Sequence, residues 1–371
     1  MIMKIGVTGH NGFIGRHLFN FLSLQQDIEF IPFHKEYFQN PELLESFVKQ
    51  CDTVVHLAAM NRHDNPNFIY HTNVALVKKL ISACENTNAT PHILFASSTQ
   101  EERENLYGQS KKEGRELLDI WAQSNGAVTT GMVIPNVFGP FGKPYYNSVV
   151  ATFCHQLAAT EEEPTVIQDG TVYLIYINEL LQEIFKLVLA PQQGKIEIPY
   201  YHSIKVSDIL GKLKIYKAEY LTKGIFPVLS SSFDLALFNT FRCYIPHDYF
   251  PRHFANNIDH RGNFVEIVRA NSSGQFSFST TNPGITRGNH FHTRKVERFA
   301  VIKGKAKISL RKMDSDAVID YYLDGDNPAY VDMPVWHTHN ITNIGNEELL
   351  TLFWINEPYN PADPDTYFVK V

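Results

Sequence analysis

The stretch KIGVTGHNGFIGRHL (residues 4–18) runs a short apolar segment straight into Gly9, Gly12 and Gly15, and from there into an amphipathic helical pattern. Glycines at this spacing let the backbone turn tightly after a first strand and come close to a pyrophosphate, whose charge then sits at the N-terminus of the following helix. An ordinary glycine-rich turn has the same letters. The position between a strand pattern and a helix pattern favours the dinucleotide reading.

Outward from this point, short apolar runs alternate with longer amphipathic ones as far as about Phe185: IEFIPF, PELLESFVKQ, DTVVHLAA, NVALVKKLISACEN, HILFASS. That alternation predicts a parallel, doubly wound α/β sheet. Near residue 250 the text changes. IPHDYFPRHF (residues 245–254) carries two prolines and few helix formers, and beyond it β-rich runs separated by turn residues predict an antiparallel barrel or jelly roll. The expected division is a nucleotide-binding domain over 1–250 and an all-β domain over 251–371. A length of 371 residues agrees with two cores rather than one.

Composition narrows the function classes. The net charge is −6 with no basic stripe, which argues against a nucleic-acid partner. No apolar run is long enough for a bilayer span, and the N-terminus reads as a buried strand rather than a leader, so no membrane partner and a cytoplasmic location are expected. Cys51, Cys84, Cys154 and Cys243 are far apart with no CxxC, as expected of reduced cysteines.

Further motifs follow in order: DTVVHLAAMNR (52–62), TNV (72–74), FASST (95–99) and YGQSK (107–111). A tyrosine and a lysine one helical turn apart share a face, so the ammonium of Lys111 can lower the pKa of the Tyr107 phenol. A lone YxxxK match usually pairs an ordinary tyrosine with a surface charge, but the four motifs together argue against that. In this order they resemble the extended short-chain dehydrogenase/reductase family, with an NAD(P)-binding Rossmann fold. The resemblance implies Ser98, Tyr107 and Lys111 as catalytic residues, with Thr99 as the alternative to Ser98. It implies cofactor contacts at Gly9, Asn11, Gly12, Phe13, Ile14 and Gly15, at Leu57, Ala58 and Ala59, at Asn73, and at Lys111. After the second strand FIPFHKEYF offers His34 and Lys35 to a 2′-phosphate, favouring NADP(H), with Glu36 close by as the argument for NAD. PNVFGPFGKPYYN (135–147) resembles that family's nucleotide-sugar loop and makes Asn136 and Asn147 candidate substrate contacts, or turn formers.

In the second half, Gly284, His290, His292, Glu297 and Gly304 follow the spacing of the first cupin motif. His290 and His292, at i and i+2, share a strand face, and Glu297 returns beside them: ligand types for a divalent metal, with zinc preferred over iron(II), manganese or nickel. PVWHTHNITN (334–343) is similar to the second cupin motif, with Trp336 where a glycine is usual. His339 is the fourth ligand by spacing and His337 the alternative. The stretch DHRGNFVE (259–266), followed by TRGNH (286–290), also resembles sugar-nucleotide 3,5-epimerases, in which the histidine matching His290 is a base rather than a ligand. Arg261 and Arg287 then become candidates to pair with a diphosphate, or with structural carboxylates.

Both halves together, with the tail NEPYNPADPDTYF (356–368), resemble the CapF-like family of bifunctional capsular-polysaccharide enzymes. That resemblance implies a zinc-containing homodimer acting on a UDP-linked keto-sugar. Its cupin domain would epimerise C3 of a UDP-2-acetamido-2,6-dideoxy-4-hexulose. Its dehydrogenase domain would reduce C4 with NADPH to UDP-2-acetamido-2,6-dideoxy-L-talose, toward UDP-N-acetyl-L-fucosamine. Two rivals are a single-activity reductase whose cupin is structural or dimerising, and a non-catalytic NADP sensor.

Overall fold

The first apolar run forms β1 (Met3–Thr8), and Gly12 caps α1 (Phe13–Leu22) without any side-chain bond. The chain continues through β2 (Ile28–Ile31), α2 (Pro41–Gln50), β3 (Thr53–His56), α3 (Pro66–Thr87), β4 (His92–Ser98), α4 (Leu106–Asn125) and β5 (Thr129–Ile134). Then come β6 (Asn136–Phe138), α5 (Val149–Ala159), β7 (Thr171–Tyr176), α6 (Ile177–Leu189) and β8 (Gly194–Glu197). The helices start where the sequence supplies caps. Asn40 and Asn65 precede Pro41 and Pro66, whose fixed φ suits a first helical turn, and Asn105 accepts the Gly108 N–H at 2.8 Å. The structure, a computed structural model, describes residues 2–160, 162–259, 262–271, 273–357 and 359–371, leaving out the side chains of 256–259 and 262–265.

Six of these strands form one parallel sheet in the order β2-β1-β3-β4-β5-β8. The order reverses between β1 and β3, so the loops leaving those two strands open a crevice at their carboxyl ends, where ligands of such sheets bind. Phe33, Phe47, Val54, Leu80, Ile93 and Trp121 pack the core between the sheet and α2, α3 and α4.

Strands replace helices after Tyr249, near the change of text at 250. Two five-stranded sheets follow. One is built from Arg252–His253, Ala329–Met333, Glu297–Lys303, Leu349–Ile355 and Gln275–Thr281; the other from Val318–Asp324, Lys305–Lys312, His337–Asn343, Thr286–Phe291 and Tyr367–Phe368. All the pairings given within them are antiparallel. Phe299, Val331 and Leu349 of the first sheet and Ile308, Leu323 and Ile341 of the second share one apolar core.

Compactness divides the chain differently from element type. One unit is Met1–Phe138 with Val172–Ser203, and the other is Gly139–Thr171 with Ile204–Val371. The loop after β6, with α5 and the helices α7 (Val206–Tyr216) and α8 (Ser232–Arg242), therefore belongs with the antiparallel sheets. In that unit the Tyr244 hydroxyl donates to the Gly142 carbonyl at 2.5 Å, and the Phe141 ring lies 5.9 Å from that of His337. No described helix is long and apolar enough to cross a membrane, and the four cysteines are free.

Candidate functional site

In the first unit the glycine turn is defined by close approach. Gly9 has a φ of +75°, and a Cβ there would lie 2.8 Å from the Ala58 nitrogen; one at Gly15 would lie 2.4 Å from the Gly9 carbonyl oxygen. No larger residue fits either place, so β1, the turn and the Leu57–Ala59 loop are held at backbone distance. The Thr8 hydroxyl bonds the His56 Nδ1 at 2.7 Å and accepts the Ala58 N–H at 3.3 Å, tying the ends of β1 and β3 together. Asn11, Gly12 and Ala59 are exposed, and Phe13, Ile14, Leu57 and Ala58 half-buried, around the uncapped N-terminus of α1. Such a terminus suits an anion.

His34 and Lys35 are exposed just beyond β2. A third basic group that the sequence reading missed, His10, stands in the glycine turn. Its imidazole is pushed below the usual value by burial first and by His34 second, which places the two histidines in one neighbourhood. Asn73 is buried rather than open: its side chain accepts the Met60 N–H at 2.7 Å and donates to the Met60 carbonyl at 2.9 Å and the Ser110 hydroxyl at 3.0 Å. It braces the loop after β3 against the helix that carries Lys111.

Ser98 ends β4 and caps a short 3₁₀ turn, its hydroxyl accepting the Gln100 N–H at 3.2 Å; Thr99 is exposed beside it. Tyr107 and Lys111 lie in the first turns of α4, the Lys111 Nζ being 5.8 Å from the centre of the Tyr107 ring and 2.8 Å from the Ala96 carbonyl. Burial pulls the Lys111 ammonium down to about 8, against an upward pull from Glu101. His56, pushed down to about 3 by burial and then by Lys111, is neutral. The register of turn and helix is set by Gly108, where a Cβ would lie 1.9 Å from the Gln100 carbonyl oxygen. Behind the turn, the buried Glu101 carboxylate accepts from the Ser97 hydroxyl and from Arg115 Nε and Nη2, at 3.1 and 3.0 Å. Neither Gly108 nor Glu101 stood out in the sequence, because their partners are fixed by packing rather than by spacing. Asn136 is exposed on β6 in this unit, whereas Asn147, with a φ of +56°, lies in the other.

In the second unit His290, His292, Glu297 and His339 converge, one ligand atom from each lying within 4.8 Å of all the others. Nε2 of His292 and of His339 are 2.9 and 3.4 Å from one Glu297 oxygen. All three atoms are buried with no other hydrogen-bond partner among the described residues, an arrangement that makes sense around a cation. Burial, with the nearby His339 and His292, lowers His290 to about 4 and keeps it in the neutral form a metal needs. The Glu297 carboxyl is held well below its usual range: burial opposes this, and His292 and His339 outweigh it. His337 is also buried, but its Nδ1 bonds the Val335 carbonyl at 3.0 Å and it is not in the cluster. Trp336 has a φ of +59°, the conformation in which a glycine is unstrained. Arg287 is exposed and, among the described residues, held by Thr281 and the Thr280 carbonyl, both at 3.1 Å, rather than by a carboxylate. Arg261 lies outside the described residues.

Comparison with known proteins covers both units. Residues 5–199 match the NAD dependent epimerase/dehydratase family, and residues 257–367 the polysaccharide biosynthesis C-terminal domain. A UDP-2-acetamido-2,6-beta-L-arabino-hexul-4-ose reductase from Pseudomonas aeruginosa is 33% identical over 375 residues, spanning 100% of this chain and 99% of its own. The crystal structure of the capsular polysaccharide assembling protein CapF from Staphylococcus aureus superposes over 100% of both chains, with a TM-score of 0.64 and 34% identity. RMD from Pseudomonas aeruginosa, solved with NADPH, has a TM-score of 0.53 at 19% identity over 58% of this chain and 82% of its own, which supports the fold of the first part.

Proposed function

The chain belongs to the NAD dependent epimerase/dehydratase family, as a CapF-like member carrying the polysaccharide biosynthesis C-terminal domain, and we propose that it processes a UDP-linked 4-keto-6-deoxy sugar at two neighbouring carbons. The Rossmann unit reduces C4 with NADPH. The antiparallel sheets, read as a cupin barrel with a divalent metal, most simply zinc, epimerise C3. The substrate is a UDP-2-acetamido-2,6-dideoxy-4-hexulose and the product UDP-2-acetamido-2,6-dideoxy-L-talose, released by a homodimer.

In the reduction, Tyr107 gives its phenolic proton to the C4 oxygen while Ser98 donates a hydrogen bond to that oxygen. Lys111 stabilises the phenolate left behind and holds the nicotinamide ribose. NADPH, when bound, supplies the hydride. The N-terminus of α1 would hold its pyrophosphate, and His34 and Lys35 would hold its 2′-phosphate. In the barrel, His290, His292, Glu297 and His339 would hold the metal, whose chemistry is to draw electron density from a bound oxygen. The C4 carbonyl of the substrate by itself makes the neighbouring C3 proton acidic. Arg287, with Arg261, is assigned to the diphosphate, and Asn136 and Asn147 to the sugar nucleotide.

The observation that carries this reading is the pairing of Tyr107 with a buried Lys111 on the helix next to the Ser98 turn, in a chain related over its full length to a UDP-keto-sugar reductase. The test supplies purified protein with NADPH and the UDP-2-acetamido-2,6-dideoxy-4-hexulose. NADPH should be consumed, and Tyr107→Phe should lose about 10²–10⁴ of that rate while still exchanging the C3 hydrogen with solvent. Reduction at the wild-type rate in Tyr107→Phe rules the assignment out. The alternative, a single-activity reductase with a structural barrel, predicts no C3 exchange in either protein.

A further inference from the structure

We propose that Asp365, in the C-terminal segment 356–368, is a positioning residue that aims His292 at the metal of the His/Glu cluster and fixes its distance from Glu297. The inference rests on the reading of that cluster as a divalent-metal site, and deepens it.

His292 reaches the cluster through Nε2, so its Nδ1 must carry the proton. That proton is donated to the main-chain carbonyl of Asp365, a contact made in a buried setting. A carbonyl only accepts, which fixes the tautomer and the ring plane. The Asp365 side chain, 2% exposed, then binds the turn between the two ligands. Oδ1 accepts the Thr293 N–H at 3.0 Å and the Thr293 hydroxyl at 2.7 Å, while Oδ2 accepts the N–H groups of Arg294 and Lys295, each at 3.0 Å. Four donors fill the capacity of one carboxylate. A single residue thus grips His292 directly and the chain from there toward Glu297.

The rest of the segment keeps Asp365 in place. Asn356 exchanges two hydrogen bonds with Val296, at 2.9 and 3.1 Å, and the Lys295 ammonium reaches the Pro364 carbonyl at 2.6 Å. Arg294 bridges Glu357 at 3.1 Å and Asp363 at 2.8 Å, and Tyr367–Phe368 pairs as a strand with Phe291 and His290. Asp365 itself has a φ of +39°, a conformation a non-glycine residue keeps only where its surroundings impose it.

The experiment measures zinc affinity of the full-length protein by competition with a chromophoric chelator, in wild type, Asp365→Asn, Glu347→Gln, His292→Ala and the pair His292→Ala/Asp365→Asn. Asparagine keeps one acceptor oxygen and turns an NH₂ toward the N–H groups of Arg294 and Lys295. Asp365→Asn should bind zinc about 10–100-fold more weakly and shift the visible bands of the cobalt(II)-substituted protein. Glu347→Gln, which loses only an exposed bridge to Lys303, should change neither. In the His292→Ala background the Asp365 substitution should cost less than it does in the wild-type background, because the part of its effect that passes through that ligand is gone. If Asp365→Asn does not fold, Thr293→Val removes one of the four donors and should weaken zinc in the same direction by about threefold. Wild-type zinc affinity in the folded variant, or an equal loss with and without His292, overturns the proposal. A wild-type protein that binds no divalent metal overturns the metal reading itself, and this inference with it.

Discussion

Burial is what suits Lys111 to the role proposed for it. Removed from water beside Ala96 and Phe95, its ammonium loses protons at about pH 8 instead of at the usual lysine value, Glu101 opposing the shift only in part. Below that pH the charge is present to stabilise a Tyr107 phenolate; above it the charge is lost. The kcat/KM of NADPH-dependent reduction should therefore fall as the pH rises through about 8, and a flat profile from pH 7 to 10 would contradict the role given to Lys111. Gly108 makes an independent residue-scale prediction. With the Gln100 carbonyl 1.9 Å from where a Cβ would stand, Gly108→Ala must push the Ser98 turn away from α4. Thermal or denaturant unfolding should show a loss of about 1–3 kcal/mol, the usual cost of overpacking. An unchanged midpoint would mean that the turn is not docked on the helix.

At the scale of elements, what was legible and what was not divides along sequence distance. The βαβ rhythm and the Tyr107–Lys111 face both follow from neighbours within a few positions, so the text displays them. The pairing of Glu101 with Arg115, the bracing of Ser110 by Asn73, and the hold of Asp365 on the turn at 293–295 join residues far apart in the chain. No periodicity marks such pairs. His339 rather than His337 joins the cluster through the way its strand meets its neighbours, a matter of register that spacing alone left open. The Glu101–Arg115 pair carries a prediction of its own. Glu101→Ala leaves a guanidinium with 13% of its side chain exposed and its main partner gone. Stability should fall by about 3–5 kcal/mol, the cost of breaking a buried pair. A loss below about 1 kcal/mol would show the pair to be solvent-screened.

On the scale of the whole molecule, a change of element type near residue 250 does not coincide with the compact units, because Gly139–Thr171 and the helices from Ile204 onward pack with the antiparallel sheets. A cut at 250 would therefore separate α5, α7 and α8 from the sheets of their own unit. Metal removal tests the division of labour without cutting the chain. Chelation should abolish C3 exchange and leave the NADPH affinity of the Rossmann unit within about twofold, since the four proposed ligands all lie in the other unit. The most direct test of two steps on one sugar is to run the reaction with NADPH in deuterated water and to analyse the product by mass spectrometry and NMR. The expected product is a reduced UDP-linked 6-deoxy sugar carrying one solvent deuterium at C3 with inverted configuration there. A reduced product with its original hydrogen and configuration at C3, or no reduction at all, would contradict it.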